Sequence, residues 1–448
     1  PLREVTPNIP VTTNFMGGNP PESSIFMDLD YQKFSKHVDV ISWDSYPNWS
    51  NDYETTETLA MKTALMNDVM RGLKHDSYLI MESTPSQVNW HPFNKSKRPG
   101  MHEMGSLQQI AHGANSVLYF QLHQSRGSSE MFHGAVVTHS LSNRTRVFKD
   151  VILVGKDLEK LQPLLKSKYT HPKIAIVFDY DNVWALDDAR NYSDQTKKYW
   201  HTIQSHYSVF WQNNIPVDII SAQDDLSPYT LVIDPMHFMM DIEYMEKIEK
   251  YVSSGGNLVG TYMTGVVDKN YLAYLGGWPE RLQRIYGLSY VETDTLYPKQ
   301  TNTIIWEDNE YKVLDYADVF EQKGATSLAY YEDDFYAQTP ALTKNNFGSG
   351  TAMMVAGRTE KDFLNKFYSK LIDKYSLRDS QIPVENADAH LSIQVRQDES
   401  QKYYFITNYT DNKQIALFKD SYTDMLTGNS LNGSTTLEPY QVIVATKD

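Results

Sequence analysis

Residues 10 to about 165 alternate between short apolar, β-rich runs and longer helical stretches, and this alternation restricts the segment to a parallel sheet with crossover helices. The strand runs are Pro10 to Phe15, Asp39 to Tyr46, Ser77 to Glu82 and Ser116 to Gln121. The helical stretches, Tyr31 to Val38, Thr56 to Leu73, Met104 to Ala114 and Arg144 to Leu165, carry apolar residues spaced for one buried face. Loops that follow the strands hold the unusual side chains: Asp44, Tyr46, Trp49, Glu82, Trp90, Arg126, Glu130 and His133. In a β/α barrel the catalytic groups come from that carboxyl end of the sheet.

A closed barrel needs about eight strands, and four leave two open sheet edges. Residues 1–167 are therefore expected to hold half of a β/α barrel, the first part of an α/β protein, with an independent small α/β sheet as the alternative. A second α/β domain, 168–382, begins with Lys-Ile-Ala-Ile-Val-Phe-Asp at 173–179, followed by Pro-Val-Asp-Ile-Ile at 216–220 and Leu-Val-Ile-Asp-Pro at 231–235. A helix over Tyr244 to Val252 is stopped by Ser-Ser-Gly-Gly, and a strand resumes at Asn257, which is a doubly wound pattern. It resembles the class I glutamine amidotransferase fold. The chain contains no cysteine, so the nucleophile of that chemistry is missing and the expected work of this domain is assembly. Beyond about Gln381 alternating runs take over, Leu391 to Arg396, Tyr403 to Asn408, Gln414 to Phe418 and Tyr440 to Val444, predicting a small antiparallel β domain over 383–448.

Composition narrows the partners. A formal net charge of -15 repels phosphate backbones and anionic membrane surfaces, so neither nucleic acid nor membrane is expected as a partner. No run approaches the ~20 apolar residues of a membrane-spanning helix. The absence of cysteine excludes disulfides and thiolate zinc sites, and with no secretory leader at Pro-Leu-Arg-Glu-Val-Thr-Pro a cytoplasmic location is expected. The start also lacks an initiator methionine, which suggests a chain cut from something longer. His91, His102, His112, His123, His133 and His139 are scattered without a helical His-x-x-x-His pair, so no catalytic metal and no cofactor are expected.

Glu82 is the sharpest candidate. It is a single carboxylate at the end of the apolar run Ser-Tyr-Leu-Ile-Met, where the chain opens into Ser-Thr-Pro-Ser-Gln-Val-Asn-Trp-His-Pro. Together with Asn14 in Val-Thr-Thr-Asn-Phe-Met, Ile-Ser-Trp-Asp-Ser-Tyr-Pro at 41–47, Ala-His-Gly-Ala-Asn-Ser at 111–116 and Glu130 to His133, it resembles the glycoside hydrolase family 42 β-galactosidases over nearly the whole chain.

That resemblance implies the carboxyl-terminal half of a TIM barrel over residues 1–167, an amidotransferase-like trimerisation domain and a small β domain, assembled as a homotrimer. It implies retaining hydrolysis of terminal β-D-galactosides with Glu82 as the nucleophile that forms a covalent galactosyl-enzyme. Trp90 matches the aromatic residue of the galactose subsite, Glu130 and His133 match residues that bond its hydroxyls, and Phe120 and Tyr46 match pocket-lining positions. Asp44 and Arg126 lie in matching loops and are kept outside the site. The family's general acid follows an asparagine at the end of the fourth barrel strand, and no Asn-Glu dipeptide ends a strand here before Glu82. The acid is thus expected on an amino-terminal half-barrel missing from this chain, and the segment alone is expected to be inactive. The alternative is a non-catalytic galactoside-binding or assembly protein, distinguished by whether an upstream half with its Asn-Glu pair is encoded.

Overall fold

The computed structural model describes residues 2–17, 29–167, 170–190, 192–379, 382–385 and 390–447. They form two compact units, one of residues 1–170 with 379–448 and one of residues 171–378.

In the first unit β1 (Asn14–Gly17), β2 (Ser42–Ser45), β3 (Tyr78–Glu82) and β4 (Ala114–Val117) pair in that order as an all-parallel sheet. Helices α1 (Thr56–Gly72), α2 (Met101–Ala111) and α3 (Arg146–Lys160) alternate with the strands, the construction of half a β/α barrel. Thr55 caps α1 by accepting the amide of Thr58, and a stripe including Leu59, Ala60, Thr63 and Leu65 is buried. Phe15, Ile41, Trp43, Tyr78, Ile80, Met104 and Leu107 make the core between sheet and helices.

Two expectations shift. The first strand occupies Asn14–Gly17 rather than starting at Pro10, and the fourth occupies Ala114–Val117 rather than Ser116 to Gln121. Gly113, in the left-handed region at φ +117, ends α2 early, so the strand starts sooner and Phe120 falls in the loop beyond it. Trp49 is not a site residue: it is buried against α2, where a Cβ on Gly105 would meet its Nε1 at 2.6 Å.

The carboxyl-terminal sheet belongs to this same unit. Its strands are β16 (Val384–Glu385), β17 (Leu391–Gln397), β18 (Lys402–Asn408), β19 (Gln414–Asp424), β20 (Ser430–Leu437) and β21 (Val442–Lys447), all paired antiparallel. Ile393, Tyr404, Ile406, Phe418, Leu437 and Ile443 form its core. Arg396 leaves β17 to donate to the carbonyls of Ala114 (3.0 Å), Ile110 (3.3 Å) and Leu164 (3.1 Å), to Asn115 Oδ1 (3.0 Å) and to Ser167 Oγ (2.6 Å).

Glu103 of α2 is the acidic counterpart in this region. Burial first, then the charges of Asp157 and Asp424, push its carboxyl up to about 7. The unfolded chain ionises it near ~4.3, so between those values the unfolded state holds fewer protons and stability falls as pH rises. Glu103→Gln is expected to raise the melting temperature above about pH 7 and to change it little near pH 5; equal shifts at both pH values would contradict this.

In the second unit β5 (Ile174–Val177), β6 (Asp218–Ile220), β7 (Leu231–Asp234) and β8 (Asn257–Thr261) are parallel and, apart from half-buried Asn257, buried on both faces. The helix predicted between β7 and β8 runs Ile242–Ser253, started by the Asp241 cap on Tyr244 N and ended before Gly255 at φ +113. A long antiparallel extension, from β9 (Leu288–Thr295) through β10 (Asn302–Trp306), β11 (Asn309–Gln322), β12 (Thr326–Tyr331), β13 (Pro340–Phe347) and β14 (Gly350–Val355) to β15 (Gly357–Thr359), continues the same sheet, with β14 joining parallel to β8.

Candidate active site

Strand register determines which side chains converge. Asn14 pairs with Ser42, Met16 with Asp44, and Asp44 with Glu82 across β1, β2 and β3. Register partners in parallel strands project to the same side and residues two apart share a face, so Asn14, Asp44 and Glu82 emerge together at the carboxyl ends. Asn14 Nδ2 donates to Glu82 Oε1 (3.1 Å) and to Asp44 Oδ1 (3.2 Å) and Oδ2 (3.3 Å). Tyr46, just past β2, donates its hydroxyl to Glu82 Oε2 (2.8 Å). Each oxygen of the Glu82 carboxylate therefore accepts one neutral donor.

The electrostatics follow from crowding. Burial and the adjacent Glu82 charge raise the Asp44 carboxyl to about 6, against the stabilising Asn14 bond. Burial and the bond to Glu82 also raise the Tyr46 phenol well above its ordinary value, keeping it a donor.

The loop after β3 is held at both ends. Lys97 Nζ, buried, donates to Thr84 O (2.6 Å), and Gly134 N donates to Gln87 O (2.8 Å). A Cβ at Gly134 would lie 2.3 Å from Ser86 Oγ, so the two loops meet only through glycine. The loop carries Trp90, whose ring lies 5.2 Å from that of Tyr46 and 5.3 Å from that of His133; Phe120 packs 5.1 Å from His133.

His133 is buried, with Nδ1 2.9 Å from the carbonyl of Gly134. A carbonyl only accepts, so Nδ1 carries the hydrogen and Nε2 is the ring nitrogen left for another partner. That Nε2 is buried and has no partner among the described residues. A polar atom so placed in a binding cleft is matched by a ligand hydroxyl.

Glu82, Trp90, Glu130, His133, Phe120 and Tyr46, the six residues singled out from sequence, all line one cleft of about 610 Å³. Asn14, Met16, Gly17, Asp44, Asn48 and His91 line it too. The period-two spacing of Asp44 and Tyr46 at a strand end was the available signal for Asp44; nothing local marks Asn48 or His91. Burial lowers the pKa of His91. Arg126 is exposed and lies outside the lining residues. Among the described residues no three His, Asp or Glu groups of this cleft converge within reach of one metal ion, and no helix is long and apolar enough to cross a membrane.

Comparison with known proteins places this geometry. Residues 1–161 match the family described as beta-galactosidase, 172–378 its trimerisation domain and 390–447 its C-terminal domain. Beta-galactosidase GanA of Bacillus subtilis is 46% identical over 99% of this chain. A family 42 β-galactosidase structure from G. stearothermophilus superposes with TM-score 0.95 at 45% identity over 100% of the chain. The enzyme from Bacillus circulans sp. alkalophilus superposes with TM-score 0.91 at 33% identity, again over 100% of the chain. In all three comparisons the chain spans 65% of the relative's length.

Proposed function

The chain belongs to the β-galactosidases of glycoside hydrolase family 42, and from that premise we propose that it carries the nucleophilic half of a retaining β-galactosidase site. Glu82 attacks the anomeric carbon of a terminal β-D-galactoside, the glycosidic bond breaks, and water later releases galactose from the covalent galactosyl-enzyme. The carrying observation is the Glu82 carboxylate held by one donor on each oxygen, Asn14 and Tyr46, inside an aromatic cleft. Those bonds fix its oxygens for attack.

Around it, the Trp90 indole covers the apolar face of the sugar ring. Nε2 of His133 and the carboxylate of Glu130 take galactose hydroxyls, while Tyr46 and Phe120 close the sides. Residues 172–378, matched to a trimerisation domain, assemble a homotrimer, with domains divided near 167 and 382 and the protein in the cytoplasm.

The general acid/base in this reading lies outside residues 1–448. Its carboxyl must stand about 5 to 5.5 Å from the nucleophile, across the scissile bond. Asp44 is the register partner of Glu82 and shares its Asn14 donor, so the two lie side by side on one wall of the cleft despite the raised pKa of Asp44. Glu130 is assigned to the sugar.

The test has two arms. In the complete protein that contains this sequence, a 2-deoxy-2-fluoro-β-galactoside with a dinitrophenyl leaving group is expected to leave its sugar mass on the peptide holding Glu82; no label there sinks the reading. Residues 1–448 alone are expected to give no turnover of an ordinary chromogenic β-galactoside, and clear Glu82-dependent hydrolysis would put the acid within this chain.

A further inference from the structure

We propose that Asp44 is a positioning residue for the reaction: it orients the Asn14 carboxamide so that its remaining N–H is aimed at Glu82. The inference rests on Glu82 being the nucleophile. An amide can turn by half a rotation, exchanging its NH2 and carbonyl ends at little intrinsic cost, so its direction is set by what surrounds it. Among the described residues the three atoms that Asn14 Nδ2 bonds are carboxylate oxygens, two from Asp44 and one from Glu82. The reversed amide would set a carbonyl oxygen against both carboxylates.

The division of labour follows from burial. Asp44 is 5% exposed and sits at the end of β2, whereas Asn14 faces the open cleft on β1, so Asp44 is the fixed member and Asn14 the arm. One amide hydrogen is shared between the two Asp44 oxygens, and the other reaches Glu82 Oε1 across 68 residues of sequence. Tyr46 holds the second Glu82 oxygen independently.

Protonating Asp44 changes the relay. An Asp44 O–H donates to the amide oxygen, which favours the reversed amide and points an acceptor at Glu82. The titratable groups facing Asp44 are Glu82 on β3, Tyr46 beyond β2 and Tyr31 on the helical turn Tyr31–Phe34. Both tyrosines stay protonated across the neutral range, since their phenols are raised.

The experiment measures the rate at which the dinitrophenyl 2-fluoro-galactoside labels Glu82 in the complete protein, a step whose leaving group needs no acid. Asp44→Ala and Asn14→Ala are each expected to slow labelling about tenfold or more near pH 7.5, with galactose affinity within about twofold of the unmutated protein. The double variant should be no slower than either single, because both changes break one relay. Asp44→Asn keeps an acceptor for Asn14 and should recover most of the lost rate, while the fall in labelling expected below about pH 6 in the unmutated protein should be missing. Asn14 is exposed, so its variant keeps the test standing if an Asp44 variant misfolds. Labelling of Glu82 at unchanged rate in Asn14→Ala and Asp44→Ala, or slowing that multiplies in the double variant, overturns the relay alone. No label on Glu82 in the unmutated protein overturns the parent reading.

Discussion

Glu82→Ala, introduced into the complete protein, is expected to lower kcat for aryl β-galactosides by at least about a thousandfold, because in the proposed mechanism Glu82 forms the glycosyl-enzyme. Galactose affinity should change far less, since Trp90, Glu130 and His133 remain. The methyl side chain also leaves room at the carboxylate position beside Asn14 and Tyr46, where a small anion can enter. Azide or formate should therefore restore part of the activity, azide giving a galactosyl azide of inverted configuration. Unaltered kcat in the variant would remove Glu82 from the mechanism, and rescue giving a retained product would remove it as the nucleophile.

Arg396→Met is expected to have the largest effect on stability. Its guanidinium spreads donors over Ile110 at the end of α2, over Ala114 and Asn115 of β4, and over Leu164 and Ser167 beyond α3. Methionine keeps much of the volume and removes every donor, so carbonyls buried under the carboxyl-terminal sheet lose charge-assisted partners. The cost is on the order of 3 kcal/mol. For a unit of this size that corresponds to a fall in melting temperature of roughly 6–12 °C. Arg396→Lys should recover little, because one ammonium cannot match a planar fork with acceptors on both sides. A melting temperature unchanged within about 2 °C would show that the sheet is held by its apolar contacts alone.

The legible part of the fold consists of features with a local signature. The strands ending at Glu82 and near Ser45, and the helix over Thr56–Gly72, announce themselves by period and caps. The antiparallel extension over 288–359 does not, because β11 is buried on alternate residues at one end and on both faces in its middle, so no single period runs through it. The strand Ser430–Leu437 is similarly hidden, since its exposed positions are mostly small hydroxyl, asparagine and glycine residues that read as loop. Phe120 and Trp49 show the limit for single residues: both are aromatic and near strand ends, yet one reaches the cleft and the other fills the space left by Gly105.

By itself the sequence determined the strand–helix alternation, the absence of a cysteine nucleophile, and the residues with distinctive chemistry: Glu82 with Trp90, Glu130, His133, Phe120 and Tyr46. The alternation and Glu82 at its strand end are properties of residue type and short-range spacing; the other five residues are marked by the resemblance to the family. Only the tertiary structure decided that Asn14 and Asp44 join Glu82, that His133 Nε2 has no partner among the described residues, and that Arg396 ties the last domain to β4. For the residues on strands the reason is register: a strand shifted by one residue would turn its side chains to the opposite face.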